Sequence, residues 1–118
     1  MDVATPMTPT PAEMLEYIAS KIDGAVYDHD IFGDPRLTLD KGYRISTSAG
    51  VWRQGKKVSD EGIHYYDSGG VIWLVEKYWI ELTYDDSNWV AHRPGNHPYA
   101  PTVTEAVVKC VYALLGGE

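Results

Sequence analysis

A chain of 118 residues, 44% of them hydrophobic, has the size and composition of one globular domain whose core needs neither disulfides nor metal. One cysteine excludes an internal disulfide framework and points to a reducing compartment. A formal net charge of -7 disfavours nonspecific nucleic-acid binding, no apolar run approaches the roughly 20 residues of a membrane span, and MDVATPMTPTP lacks the basic start and apolar core of a signal peptide.

The first nine residues carry no periodicity and read as a flexible tail. The domain is expected to span residues 10–118. Thr10-Pro11-Ala12-Glu13 is a helix start: Thr10 and Glu13 can exchange hydrogen bonds with each other's backbone amides, and Pro11 suits the first helical position. Leu15, Ile18 and Ile22 recur at helical spacing and Gly24 can cap the end, so a helix is expected over 11–23. Residues 25–41 read as irregular, broken by Gly33 and Asp34-Pro35. Asp28-His29-Asp30 lacks the spacing of a calcium loop and reads as solvated.

Tyr43-Arg44-Ile45-Ser46 alternates like a short strand. Residues 47–62 are rich in Gly, Ser and Thr and read as a long loop or loose hairpin with Gly55 near its tip. Asp67 or Ser68 can cap a helix from about Gly69. Val71 to Tyr78 is apolar at nearly every position, which periodicity alone leaves open between helix and buried strand. Residues 79–84 and 89–93 form a hairpin about the turn Asp85-Asp86-Ser87-Asn88. Thr102 and Glu105 give a second capping box. Val103, Val107, Val111 and Leu114 follow as a helical stripe, with Glu105 and Lys109 paired on the polar face.

Several of these segments together resemble the phage ABA sandwich domain family. Members carry a Trp-containing helix ending in Val-Glu-Lys, as in VIWLVEK. A hairpin follows with Trp opening its second strand, as in NWVAHRP. A final helix of the type Ala-x-Thr-x-x-x-Ala-x-x-x-Ala resembles APTVTEAVVKCVYALL, where Cys110 stands at the last Ala position, and IASKIDG resembles the family's first helix. The resemblance covers residues 12–24 and 64–115. It departs at Tyr66-Asp67-Ser68-Gly69-Gly70, where members carry a Tyr-Ser-Thr-Asp cap, and residues 25–62 match poorly. It implies a helix over 71–78, an α+β fold with a small antiparallel sheet in an α/β/α sandwich, and a phage or prophage origin. It implies no activity.

The chemistry of known catalytic motifs is absent from this sequence. There is no Gly-rich phosphate loop and no Cys pair for zinc. His64, His92 and His97 have no spacing that demands a metal, and Cys110 falls on an apolar helix face, so no catalytic residue, metal or cofactor is assigned. The charge is uneven, however. Residues 1–40 carry two basic and eight acidic side chains, and residues 63–118 carry three and seven. Residues 41–62 carry five basic (Lys41, Arg44, Arg53, Lys56, Lys57) against two acidic (Asp60, Glu61), a local surplus of three positive charges.

Aromatic faces stack on bases, and ammonium and guanidinium groups hold phosphates. Arg53, Lys56, Lys57, Arg44, Trp52, Tyr65, Tyr66 and Arg93 are therefore the expected ligand-binding residues, for a small anionic nucleotide-like ligand. The expected protein is a non-enzymatic one that sequesters a nucleotide-type immune signal in the cytoplasm of an infected bacterial host. The alternative is an acidic protein–protein inhibitor or host-takeover factor acting on a bacterial protein. Strand edges argue for a homo-oligomer, a dimer or higher.

Overall fold

The computed structural model describes residues 9–31, 33–53 and 56–117, and over 48–64 it describes the backbone alone. The expected tail over residues 1–9 therefore lies almost wholly outside the described residues, as does Gly55 at the expected hairpin tip. Among the described residues the fold is mixed α+β, with helices packed on small antiparallel sheets as the sequence led us to expect. The strands divide between two sheets of four and three.

Helix α1 spans Pro11–Lys21. Its capping box forms as expected: the Thr10 amide donates to Glu13 Oε1 at 2.8 Å, and the Glu13 amide donates to Thr10 Oγ1 at 3.1 Å. Met14, Leu15, Ile18 and Ile22 make its buried stripe. The helix stops two residues earlier than expected, because Ile22 is already extended.

Residues 25–41, expected to be irregular, instead form two short strands: β1 over Val26–His29 and β2 over Pro35–Thr38. The residues that break a helix here build the turn between them. Gly33 takes a left-handed φ of 83°, its amide donates to the Asp30 carbonyl at 2.9 Å, and the Asp34 amide donates to Asp30 Oδ1 at 3.0 Å.

The next two strands are long. β3 spans Arg44–Arg53 and β4 spans Lys56–Ser68, paired from Ile45 opposite Asp67 out to Arg53 opposite Lys56. The strand expected to end at Ser46 thus continues to Arg53, and of the two readings of 47–62, a long loop or a loose hairpin, the hairpin holds. Its Gly- and Ser-rich composition hid a ladder whose register slips around Gly50, between Ala49 and Val51, and again before Trp52.

Helix α2 spans Gly70–Tyr78, so the helical reading of 71–78 holds. Gly69, with φ 91°, occupies the cap position, and Asp67 Oδ1 accepts from the Val71 amide at 2.9 Å. A Cβ on Gly70 would lie 2.5 Å from Ile45 Cγ1 and 2.8 Å from the Arg44 carbonyl oxygen. Only glycine lets α2 start this close to β3.

The expected hairpin appears as β5 over Glu81–Asp85 and β6 over Asn88–His92, with β7 over Tyr99–Ala100 added to β6.

Helix α3 spans Val103–Leu114 and is the axis of the core. Thr104, Ala106, Val107, Val108, Cys110 and Val111 are all buried, which covers most of its circumference. It packs against α1, α2, β4, β6 and β7. Each fully buried valine here contributes roughly 1.5–3 kcal/mol of transfer free energy. Of the second capping box only one half forms. Thr102 Oγ1 accepts from the Glu105 amide, while the Glu105 carboxylate pairs with Lys109 at 3.1 Å. Among the described residues no helix is long and apolar enough to cross a membrane.

Candidate functional site

Period-two alternation gives the four-stranded sheet two different faces. Tyr27, Leu37, Ile45 and Asp67 share one transverse row, and Leu37 and Ile45 are fully buried there against the helices. The next row, Asp28, Arg36, Ser46 and Tyr66, lies on the opposite face. Arg44 lies on that same face, two residues before Ser46 on β3. Val26, Arg44 and Tyr66 are exposed, so this face is open to solvent.

The open face carries an ordered charge pair. Arg36 Nε donates to Asp28 Oδ1 and Arg36 Nη2 to Asp28 Oδ2, both at 2.9 Å. That forked hydrogen bond lowers the Asp28 carboxyl pKa, helped by the charges of Arg36 and Arg44. Asp28 is thus a strand residue with a fixed partner, where the sequence suggested a solvated loop. Arg36 had not been expected at this site. The signal for it was present in Arg36-Leu37-Thr38-Leu39, where the apolar positions alternate, but four-residue strands give that pattern little weight.

The eight expected ligand-binding residues divide into three groups. Arg44 and Tyr66 come together on the open face. Trp52, Arg53, Lys56 and Lys57 lie along the outer end of the β3–β4 ribbon, with Trp52 opposite Lys57 and Arg53 opposite Lys56 in the backbone register. Their side chains are outside the described residues. Past Ser46 and Tyr66 the ribbon has no third strand among the described residues, since β2 pairs only with 44–46.

Tyr65 and Arg93 lie apart from the open face and from the outer end of the ribbon. Tyr65 neighbours buried Thr47 on the helix-facing side, and its hydroxyl is buried without a partner. Burial pushes its phenol pKa up, and the Glu105 charge adds to the rise. Arg93 follows β6 in the other sheet, with its Nε buried and unpartnered. Its charge partly offsets the burial that pushes the Cys110 thiol up to about 11. Spacing along the chain put these two residues beside loops; the alternation of β4 and the tight turn after β6 turned them inward.

Elsewhere, Tyr43, Tyr84 and Tyr99 are exposed, and Trp79 is exposed at the left-handed end of α2 with φ 56°. Among the described residues no group of three or more His, Cys, Asp or Glu is arranged to hold a metal ion. No family model, no curated protein and no solved structure matches this chain.

Proposed function

We propose that this protein binds a small anionic, nucleotide-type ligand without transforming it, and that its end use is to sequester a host immune signal during phage infection. The supporting observation is the backbone register of the β3–β4 ribbon. It sets Arg53 opposite Lys56 and Trp52 opposite Lys57, at the end of a ribbon whose base carries Arg44 and Tyr66 on an exposed face. Two cations on directly opposed strand positions repel one another, and a phosphate held between them relieves that repulsion while gaining charge-assisted hydrogen bonds. A two-stranded ribbon is marginal in water on its own, so a bound anion also stabilises the element that binds it. The resemblance of residues 12–24 and 64–115 to phage proteins supports the phage setting, and with it the cytoplasm of the infected host.

Self-association is part of this proposal. β4 is the edge strand of its sheet over 13 residues, and exposed edges of that length are usually covered by pairing. Light scattering at micromolar concentration tests it, with a dimer or larger expected and a monomer against it. The binding proposal is tested by a thermal-shift screen of linear and cyclic nucleotides and ADP-ribose derivatives. A ligand that binds the native state alone raises the melting temperature with its concentration. The ligand released on denaturation should be chemically unchanged. A converted ligand would replace this reading with an enzymatic one.

A further inference from the structure

His92 and His97 carry a feature independent of the ribbon. His92 ends β6 on the solvent side of the three-stranded sheet, next to buried Ala91 on the other face and opposite Glu81 in the register. His97 follows the turn closed by the Arg93 amide to the Asn96 carbonyl at 2.9 Å and the Asn96 amide back to the Arg93 carbonyl at 2.8 Å. Both neighbours of His97 are anchored. Asn96 Nδ2 donates to the Cys110 carbonyl at 3.0 Å, and the Pro98 carbonyl accepts from the Ala91 amide at 3.0 Å. His97 is therefore held at a fixed place despite its exposure.

The two imidazoles meet nitrogen to nitrogen. His92 Nδ1 and His97 Nδ1 are 3.1 Å apart, and Thr83 Oγ1 is 2.7 Å from His92 Nε2. When Thr83 accepts the Nε2 proton, His92 Nδ1 presents its lone pair toward His97. Two nitrogens bound to one zinc ion at about 2.0–2.1 Å and tetrahedral angles lie about 3.3 Å apart. The two rings thus share an imidazole–imidazole hydrogen bond, and its length is close to the spacing of two adjacent corners of a coordination shell, so rotation of both rings would turn the two lone pairs onto one ion. A metal-bound histidine normally donates its other ring N–H to a nearby acceptor, which is the part Thr83 fills for His92.

We propose that His92 and His97 form a two-imidazole site for a divalent transition-metal ion, binding through both Nδ1 atoms. Binding exchanges the proton on His97 Nδ1 for one on its exposed Nε2, so the neutral ligands lose no net proton. Imidazole ligands select copper, nickel and zinc over magnesium and calcium, with copper held most tightly. No third side chain closes the shell among the described residues, which leaves the remaining positions to water or to an anion.

The test uses tag-free, metal-stripped protein titrated with zinc chloride by calorimetry, with imidazole 15N NMR on the same samples. The expected result is one zinc per chain, with large shifts of the His92 and His97 Nδ1 resonances. His92→Gln and His97→Gln should each weaken binding more than tenfold, while His29→Gln leaves it unchanged. Thr83→Val should weaken it roughly tenfold by removing the acceptor that orients His92. Wild-type protein whose Nδ1 resonances do not move at saturating zinc overturns the proposal without any variant. So does a folded double variant, His92→Gln with His97→Gln, that binds zinc as the wild type does.

Discussion

Arg53 and Lys56 are opposed across the last described rung of the β3–β4 ladder. Like charges at directly opposed positions destabilise an antiparallel pair, and opposite charges contribute roughly 0.2–1 kcal/mol. Lys56→Glu is therefore expected to keep or slightly raise the unfolding temperature while removing the affinity for an anionic ligand. Calorimetry and a nucleotide titration on one preparation check both halves. A clear loss of stability would mean that the opposed cations carry no repulsion for the substitution to relieve.

Gly70 fixes how closely α2 approaches β3. Gly70→Ala puts a methyl group against Ile45 Cγ1 and the Arg44 carbonyl, 2.5 and 2.8 Å away in the unrelaxed geometry. Backbone cannot give way as a side-chain tip does, so the cost should be about 1–3 kcal/mol, in the range of overpacked cores. The shift in urea midpoint measures it.

Asp28 and Arg36 make the open face pH-sensitive. The Asp28 carboxyl pKa is lowered in the folded protein, chiefly by the hydrogen bond from Arg36. Its contribution is therefore present above the unfolded aspartate value of about 3.9 and lost as pH falls through the folded value. Asp28→Asn should lower stability modestly near neutral pH, since the pair is partly exposed. The difference from wild type should vanish under strong acid. Urea midpoints of the two proteins across pH test this, and a difference that persists in strong acid would place the effect elsewhere.

Cys110 is buried in α3, and burial pushes its thiol up to about 11. The thiolate is the reactive form, so a disulfide-exchange reagent at pH 8 should leave native protein unmodified and react fully once it is denatured. Rapid labelling of the native chain would show that α3 opens readily.

The helices were legible because their signals are local. Thr10 and Glu13 name a start, and Val107 and Val111 name a buried face, while Val103 is half-buried and Leu114 exposed at the two ends of the expected stripe. The hairpin over 79–93 was legible because Asp85 to Asn88 is turn composition between two alternating runs. β1 and β2 were missed because four-residue strands carry too few alternations to stand out beside Gly33 and Pro35. The full length of β3 was missed because its middle, Thr47 to Gly50, is made of small residues, and strand pairing there comes from partners 14 or more residues away. The basic residues of the ribbon were found from charge alone. Tyr65 and Arg93 were grouped with them because sequence proximity to a loop says nothing about which sheet face a side chain takes. Arg36 was passed over for the same reason, since its partnership with Asp28 depends on the unrecognised β1–β2 pairing.

The most direct measurement is the affinity of the Arg53→Ala, Lys56→Ala, Lys57→Ala triple variant for whichever nucleotide stabilises the wild type. A lost charge-assisted hydrogen bond costs about 1.5–3 kcal/mol, so each contacting residue should account for roughly tenfold or more in Kd. The expected result is a triple variant that melts near the wild-type temperature and binds the nucleotide at least a hundredfold more weakly. Full affinity in a folded triple variant would contradict the assignment of the ribbon as the binding element.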